Sequence, residues 1–181
     1  MMPGRTADAV SIRRCSVTDA EMLSALAARL FSESYGPTHP EPELSRYLAR
    51  SFAAPVLREF IEEDGAAMLV AEEARREPIG YAYIRPSPKP PVGVPGKHVL
   101  EIARFYVDAS RQGRGIGAAL MEECFAEARS RDADVIWLQV WQEAPWAIGF
   151  YERMGFTVVG STEFHFGEQQ IGQDHVMAMR V

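Results

Sequence analysis

The residues best placed to do chemistry lie in one short run, Arg111-Gln112-Gly113-Arg114-Gly115-Ile116-Gly117-Ala118. It falls between a stretch that reads as a strand and one that reads as a helix. Glycine at alternate positions removes the β-carbons that would hold a ligand away from the backbone. The amides that open the following helix form an anion site, strengthened by the helix dipole. Arg111 and Arg114 add positive charge. Such a loop suits a pyrophosphate; the plain alternative is a flexible turn with solvated arginines.

Three phosphate chemistries compete for it. A P-loop requires Gly-Lys-Ser/Thr, which is absent. A dinucleotide fingerprint in its permissive form is matched by Gly113-x-Gly115-x-x-Ala118, with Glu143 after the next strand as a ribose ligand. Against it, the first glycine comes well after Val107, the last apolar residue of the strand, and the unit lies late in the chain, with too little sequence left for a doubly wound sheet. The third chemistry is binding of an acyl-coenzyme A.

Here Gln112-x-x-Gly115-x-Gly117 resembles the coenzyme A motif of the GNAT acetyltransferase superfamily, Gln/Arg-x-x-Gly-x-Gly/Ala. The preceding segment, Leu100 to Val107, has that family's strand character. Ala147-Ile148-Gly149-Phe150-Tyr151-Glu152-Arg153-Met154-Gly155-Phe156 resembles its second signature, Ala-x-x-Phe-Tyr-x-x-x-Gly-Phe. The two signatures stand in the right order about thirty residues apart. Phe31 to Gly36, Trp137 to Trp141 and the Asp174 to Met177 ending resemble bacterial spermidine/spermine N-acetyltransferases of the PaiA type.

The resemblance implies transfer of acetyl from acetyl-coenzyme A to an amine by direct attack in a ternary complex. An aliphatic amine of pKa about 10.4 must lose a proton before it attacks. The thioester oxygen then needs a backbone donor, and the leaving thiolate needs an acid. By the same resemblance, the strand before the glycine loop splays from its neighbour, and Phe105, Tyr106 and Val107 bind pantetheine and polarise the thioester. Gln112, Gly113, Arg114, Gly115, Ile116, Gly117 and Ala118 hold the pyrophosphate. Ala144, Ile148 and Tyr151 complete the cofactor site, with Tyr151 as general acid to the thiolate. Glu101, eleven residues before Gln112, is a candidate base, with a water chain as the alternative. Glu33 and Tyr35 fall in the segment that shapes the acceptor pocket. One position departs from the family: the residue before the last helix, usually an Asn that caps it, is Ala144, and loss of such a cap costs about 1 kcal/mol.

The elements that must position these residues follow from periodicity. Strands are expected at 10–15, 67–71, 79–84, 99–107, 135–141, 156–159 and 176–181. Helices are expected from Thr18 or Asp19 through Leu30, over 44–52 and 56–61, over 115–130 and from Pro145 to Gly155. Ile116, Leu120, Cys124 and Ala128 lie on one helical face. Residues 86–96 hold five prolines and two glycines and read as a stiff loop rather than a linker. The pattern is mixed α/β with one βαβ crossover. The fold implied is the acyl-CoA N-acyltransferase fold: a central mixed sheet of about six to seven strands flanked by about four helices. Residues 1–9 would be a tail and 10–181 the acetyltransferase domain.

Composition agrees. The chain has 181 residues, 47% hydrophobic, with formal charge -6 from 19 basic and 25 acidic side chains. That is one ordinary globular domain, and its acidity argues against nucleic acid as a partner. Cys15 and Cys124 are too few for a disulfide framework. His39, His98, His165 and His175 have no ligand spacing, so no metal site is expected. Without a signal segment or a span long enough for a membrane, the expected place is the cytoplasm. The expected partner is a small amine. A homodimer is implied by likeness alone. A non-catalytic acetyl-coenzyme A-binding module and acetylation of a peptide amine stay open as alternatives.

Overall fold

The computed structural model describes residues 10–38, 41–166 and 169–181. The expected tail 1–9, His39 and the side chain of His165 lie outside the described residues. Twelve regular elements run in the order β1 (Ser11–Arg14), α1 (Ala20–Tyr35), α2 (Glu43–Ser51), α3 (Ala54–Glu62), β2 (Ala67–Glu72), β3 (Pro78–Pro86), β4 (Val99–Val107), α4 (Ile116–Ser130), β5 (Val135–Trp141), α5 (Pro145–Arg153), β6 (Thr157–Phe166) and β7 (Gln169–Arg180). The strands form one seven-stranded sheet in the order β1-β2-β3-β4-β5-β7-β6. Only β4 and β5 pair in parallel, joined by the α4 crossover; every other neighbour is antiparallel. That topology excludes the doubly wound sheet on which a dinucleotide reading depends.

Helices cover both faces. On one face the stripe Leu120, Cys124 and Ala128 of α4 packs on Ile102, Ile136, Leu138 and Met177, and α5 adds Tyr151. On the other, Leu23, Leu26 and Leu30 of α1 and Leu57 of α3 cover Met68, Val70, Tyr81 and Tyr83. Strand β2 is buried along its whole length, which is why it reads as a continuous apolar run rather than an alternating one. The proline-rich loop after β3 is fastened at both ends. Trp137 Nε1 donates to Ser87 Oγ at 3.0 Å, and Asp134 accepts from the amides of Lys97 and His98 at 2.9 and 3.0 Å.

The expected elements are all present, but several extents differ. The last hairpin is much longer than 156–159 and 176–181. Beyond Gly160 it pairs Ser161, Thr162 and Glu163 with His175, Asp174 and Gln173, so cross-strand pairing of polar residues extends it. Helix α1 runs on to Tyr35 past its apolar stripe. The α-helices number five among the described residues, matching the five segments read from periodicity and one more than the four or so of the fold implied by resemblance.

Leu120 is fully buried between α4 and the sheet. Leu120→Ala should therefore cost about 3 kcal/mol. A urea titration would show it as a lower midpoint at unchanged slope; an unchanged midpoint would contradict this account of the core.

Candidate active site

The site begins where two strands part. Val99–Ile102 of β4 pair with Val135–Leu138 of β5, and the ladder then stops. Beyond it, β4 continues against β3 alone while β5 continues against β7. The separation coincides with a register shift on β4: Tyr83 of β3 faces Arg104, but Ile84 faces Ile102, so Ala103 is an extra residue. Such a bulge bends a strand and re-aims its side chains. Ile102, Phe105 and Val107 point to the α4 face, while Ala103 and Tyr106 point to the α1 face. The result is a wedge at the carboxyl ends of two parallel strands. One edge of Ala103–Val107 has no strand partner there, so its peptide groups are available to a ligand.

The glycine loop lies at the top of this wedge. Asp108 turns the chain out of β4 by accepting from the Ser110 amide at 2.9 Å. Gly113 and Gly115 both have φ of +78°, and nothing lies within 4 Å of where their β-carbons would stand. Gly115 caps α4 in this left-handed conformation, which glycine adopts without steric cost. Gly117 differs from the expected pattern. A β-carbon there would stand 3.3 Å from the Phe150 ring, so this glycine lets α5 pack against α4 rather than opening the loop to a ligand. The arginines also differ. Arg111 and Arg114 both pair with Glu73, at 2.9 and 3.3 Å. The loop thus carries two cations balanced in part by one carboxylate, brought from the far end of β2.

Helix α5 closes the wedge from the α4 side. Ala144 is buried and offers no side-chain cap, but its carbonyl accepts from Ala147 and Ile148, both at 3.0 Å. Pro145 has no amide to satisfy. The missing Asn is therefore met locally by backbone bonds. Phe150 stacks on Phe105 at 5.7 Å. Tyr151 is buried, with its ring edge-on to Phe105 at 6.2 Å and to Phe156 at 5.9 Å. Burial raises its hydroxyl pKa above the ordinary tyrosine value, so it is protonated at neutral pH and can donate. Trp146, at the start of α5, is exposed.

An aromatic cluster lies on the opposite face. Phe31 packs on Tyr35 at 4.9 Å, on Tyr47 at 5.0 Å and on Tyr106 at 6.5 Å. Tyr35 reaches Trp141 at 6.5 Å, so α1, α2, β4 and β5 converge there. A buried carboxylate, Asp174, joins them from β7. Trp141 and Thr162 flank it on the neighbouring strands, and its Oδ1 has no hydrogen-bond partner. Burial raises its pKa to about 6, against a small lowering by His175. Sequence reasoning does not single out Asp174 as a site residue; the available signal is an acid two positions before Val176 on a buried strand face.

The remaining acids are engaged. Glu33 is exposed and pairs with Arg29 at 3.0 Å, and Arg29 also holds Asp108 at 2.8 Å. Glu101 is partly buried and bound to Arg85 at 2.7 Å. It lies opposite Trp137, at the closed end of the wedge, some four residues or about 13 Å along β5 from Trp141. Cys15 and Cys124 are both buried. Burial pushes the Cys15 thiol up to about 12 and the Cys124 thiol higher still, so neither is a nucleophile at neutral pH. No cluster of metal-ligating side chains exists among the described residues. Among them, no helix is long and apolar enough to cross a membrane.

Residues 26–156 match the acetyltransferase (GNAT) family. An uncharacterized N-acetyltransferase of Mycobacterium tuberculosis is 28% identical over 162 residues, covering 89% of this chain and 97% of that protein. A peptidyl-lysine N-acetyltransferase of Escherichia coli is 26% identical over 154 residues, covering 85% and 86%. Among solved structures, the PaiA N-acetyltransferase of Thermoplasma acidophilum, in complex with coenzyme A, superposes with a TM-score of 0.75 at 19% identity, covering 96% of this chain and 99% of that one. The chain belongs to the acetyltransferase (GNAT) family and is an N-acetyltransferase whose acetyl donor is acetyl-coenzyme A.

Proposed function

We propose that the protein acetylates a primary amine of a small cationic acceptor by direct attack on the thioester in a ternary complex. The observation that carries this reading is the two-sided wedge: an open glycine loop at a helix start on one side of the sheet and an aromatic cluster with a buried acid on the other. On this reading the pyrophosphate rests on the amides of Gln112 to Ala118, with Arg114 at its edge. Pantetheine runs along the unpaired edge of Phe105, Tyr106 and Val107, whose peptide groups extend its amides as another strand would. The Val107 amide polarises the thioester carbonyl. Ala144 and Ile148 line the α5 side, and Tyr151 gives its proton to the departing thiolate. Direct transfer is favoured over an acetyl-enzyme because both thiols are buried and protonated.

A cationic acceptor is supported by the aromatic walls, which attract ammonium groups, and by the acidic chain. A polyamine fits this chemistry, and Tyr35 would form one wall of its site. Glu33, held by Arg29 on the surface, would act at most at the cluster's outer rim. Glu101, held by Arg85 at the closed end, would reach the amine only through water. The peptidyl-lysine acetyltransferase of Escherichia coli favours a second reading: a lysine side chain presents the same primary ammonium on a flexible stem.

Three outcomes follow. A panel of polyamines, monoamines, amino acids and lysine peptides, assayed for free coenzyme A, should give turnover with flexible cationic primary amines and little with neutral ones. No product with any amine, alongside tight acetyl-coenzyme A binding, would leave a non-catalytic binding module. Tyr151→Phe should lower kcat roughly 100-fold, within the usual range for a lost general acid, and leave the KM for acetyl-coenzyme A within about threefold; full activity would remove the tyrosine from the chemistry. Glu73→Gln frees Arg111 and Arg114, so it should tighten coenzyme A binding severalfold by calorimetry at low salt, and the gain should shrink as salt rises. Weaker binding would mean that Glu73 acts mainly by holding the arginines in place.

A further inference from the structure

We infer that Asp174 is the carboxylate that receives the acceptor's ammonium group and takes its proton before attack. The inference rests on the acetyl-transfer reading and gives that reading its amine-side residue. Asp174 is only 7% exposed, and its Oδ1 makes no hydrogen bond. A buried carboxylate is normally hydrogen-bonded or paired. The largely buried acids Glu73, Asp108 and Glu101 obey that rule: each binds an arginine. Its position is also suited to the task. Asp174 stands opposite Trp141 in the ladder, beyond the last β4–β5 pair, so it lies at the open part of the wedge where Glu101 does not.

The groups facing it come from each adjoining element. Tyr35 of α1 lies close enough to feel its charge and is hydrogen-bonded to Tyr106 of β4. Trp141 of β5 and Thr162 of β6 are its ladder neighbours, and His175 adjoins it on β7. His175 lowers the Asp174 pKa through its charge, but among the described residues no lysine or arginine pairs with the carboxylate. A primary ammonium would supply both the missing charge and the missing donors, with the rings of Tyr35 and Trp141 around its carbons.

In the reaction, the ammonium gives one proton to Asp174 and becomes a neutral amine, whose lone pair forms the new bond to the thioester carbonyl carbon. The carbon–sulfur bond breaks and its electron pair leaves on sulfur, which takes the proton of Tyr151. The second proton lost by the nitrogen restores Tyr151, and Asp174 releases its own to water. The products are the N-acetylated amine, free coenzyme A and one proton.

The test compares the wild-type protein with Asp174→Asn, which keeps the shape and removes the charge. With the best amine of the panel, kcat/KM should fall roughly 100-fold or more, while coenzyme A affinity and the thermal midpoint are retained. The wild-type kcat/KM should rise with pH through an apparent pKa near 6, and the variant should lose that limb. Binding of spermidine to the coenzyme A-loaded protein, measured by calorimetry, should weaken at least tenfold in the variant. Activity within threefold of wild type, an unchanged acidic limb, or equal spermidine affinity in the two proteins would overturn the assignment. If the wild type turns over no amine, the acetyl-transfer reading fails, and the calorimetry still judges Asp174 separately: selective loss of spermidine binding supports it as the ammonium site, and absence of binding to the wild type removes it. Should Asp174→Asn fold poorly, Asp174→Ser is measured with the same two readouts, and the same outcomes support or overturn the assignment.

Discussion

The functional architecture depends on one broken ladder. The β4–β5 pairing ends after Ile102 and Leu138, and that ending produces both halves of the site. It leaves one backbone edge of β4 without a strand partner, the edge proposed to bind pantetheine. Pairing the strands to their ends would satisfy those peptide groups internally. The bulge at Ala103 contributes to the separation. Aromatic contacts tie the flanking helices to the two strands: Phe150 of α5 stacks on Phe105 of β4, and Tyr35 of α1 meets Trp141 of β5.

Charge is distributed to match. The glycine loop offers amides, a helix start and two arginines to an anion. Glu73 holds both arginines, fixing their direction and moderating the field of the loop. On the opposite face the pattern is reversed, with one buried carboxylate beside rings and, among the described residues, no lysine or arginine paired with it. On the proposed reading, a pyrophosphate and an ammonium are drawn to opposite faces of one sheet.

How much of this was legible in the sequence depends on how local each cause is. The glycine loop, the α4 stripe of Ile116, Leu120, Cys124 and Ala128, and the proline that starts α5 all act within a few residues, so they could be read directly. The family resemblance added the splayed strand, seen in the broken β4–β5 ladder, and the proposed role of Tyr151. Causes that join distant segments could not be read. Glu73 meets Arg111 across 38 positions, and no local pattern marks it as their partner. Asp174 neighbours Trp141 of β5 and feels Tyr35 of α1, both far from it in sequence, as well as Thr162 of the adjoining β6. Gly117 looks like its two neighbours in the loop, yet its conformation is helical and its role is set by Phe150. The outer part of the β6–β7 hairpin lacks an apolar alternation because its pairing is sustained across the strands.

The central claim is that both substrates occupy this divided wedge at once and acetyl passes directly between them. Initial rates over a matrix of acetyl-coenzyme A and amine concentrations test it most directly, together with the intact mass of the protein after incubation with acetyl-coenzyme A alone. The account predicts intersecting double-reciprocal lines and no acetyl adduct on the protein. Parallel lines with an acetylated enzyme that passes its acetyl group to the amine would contradict it.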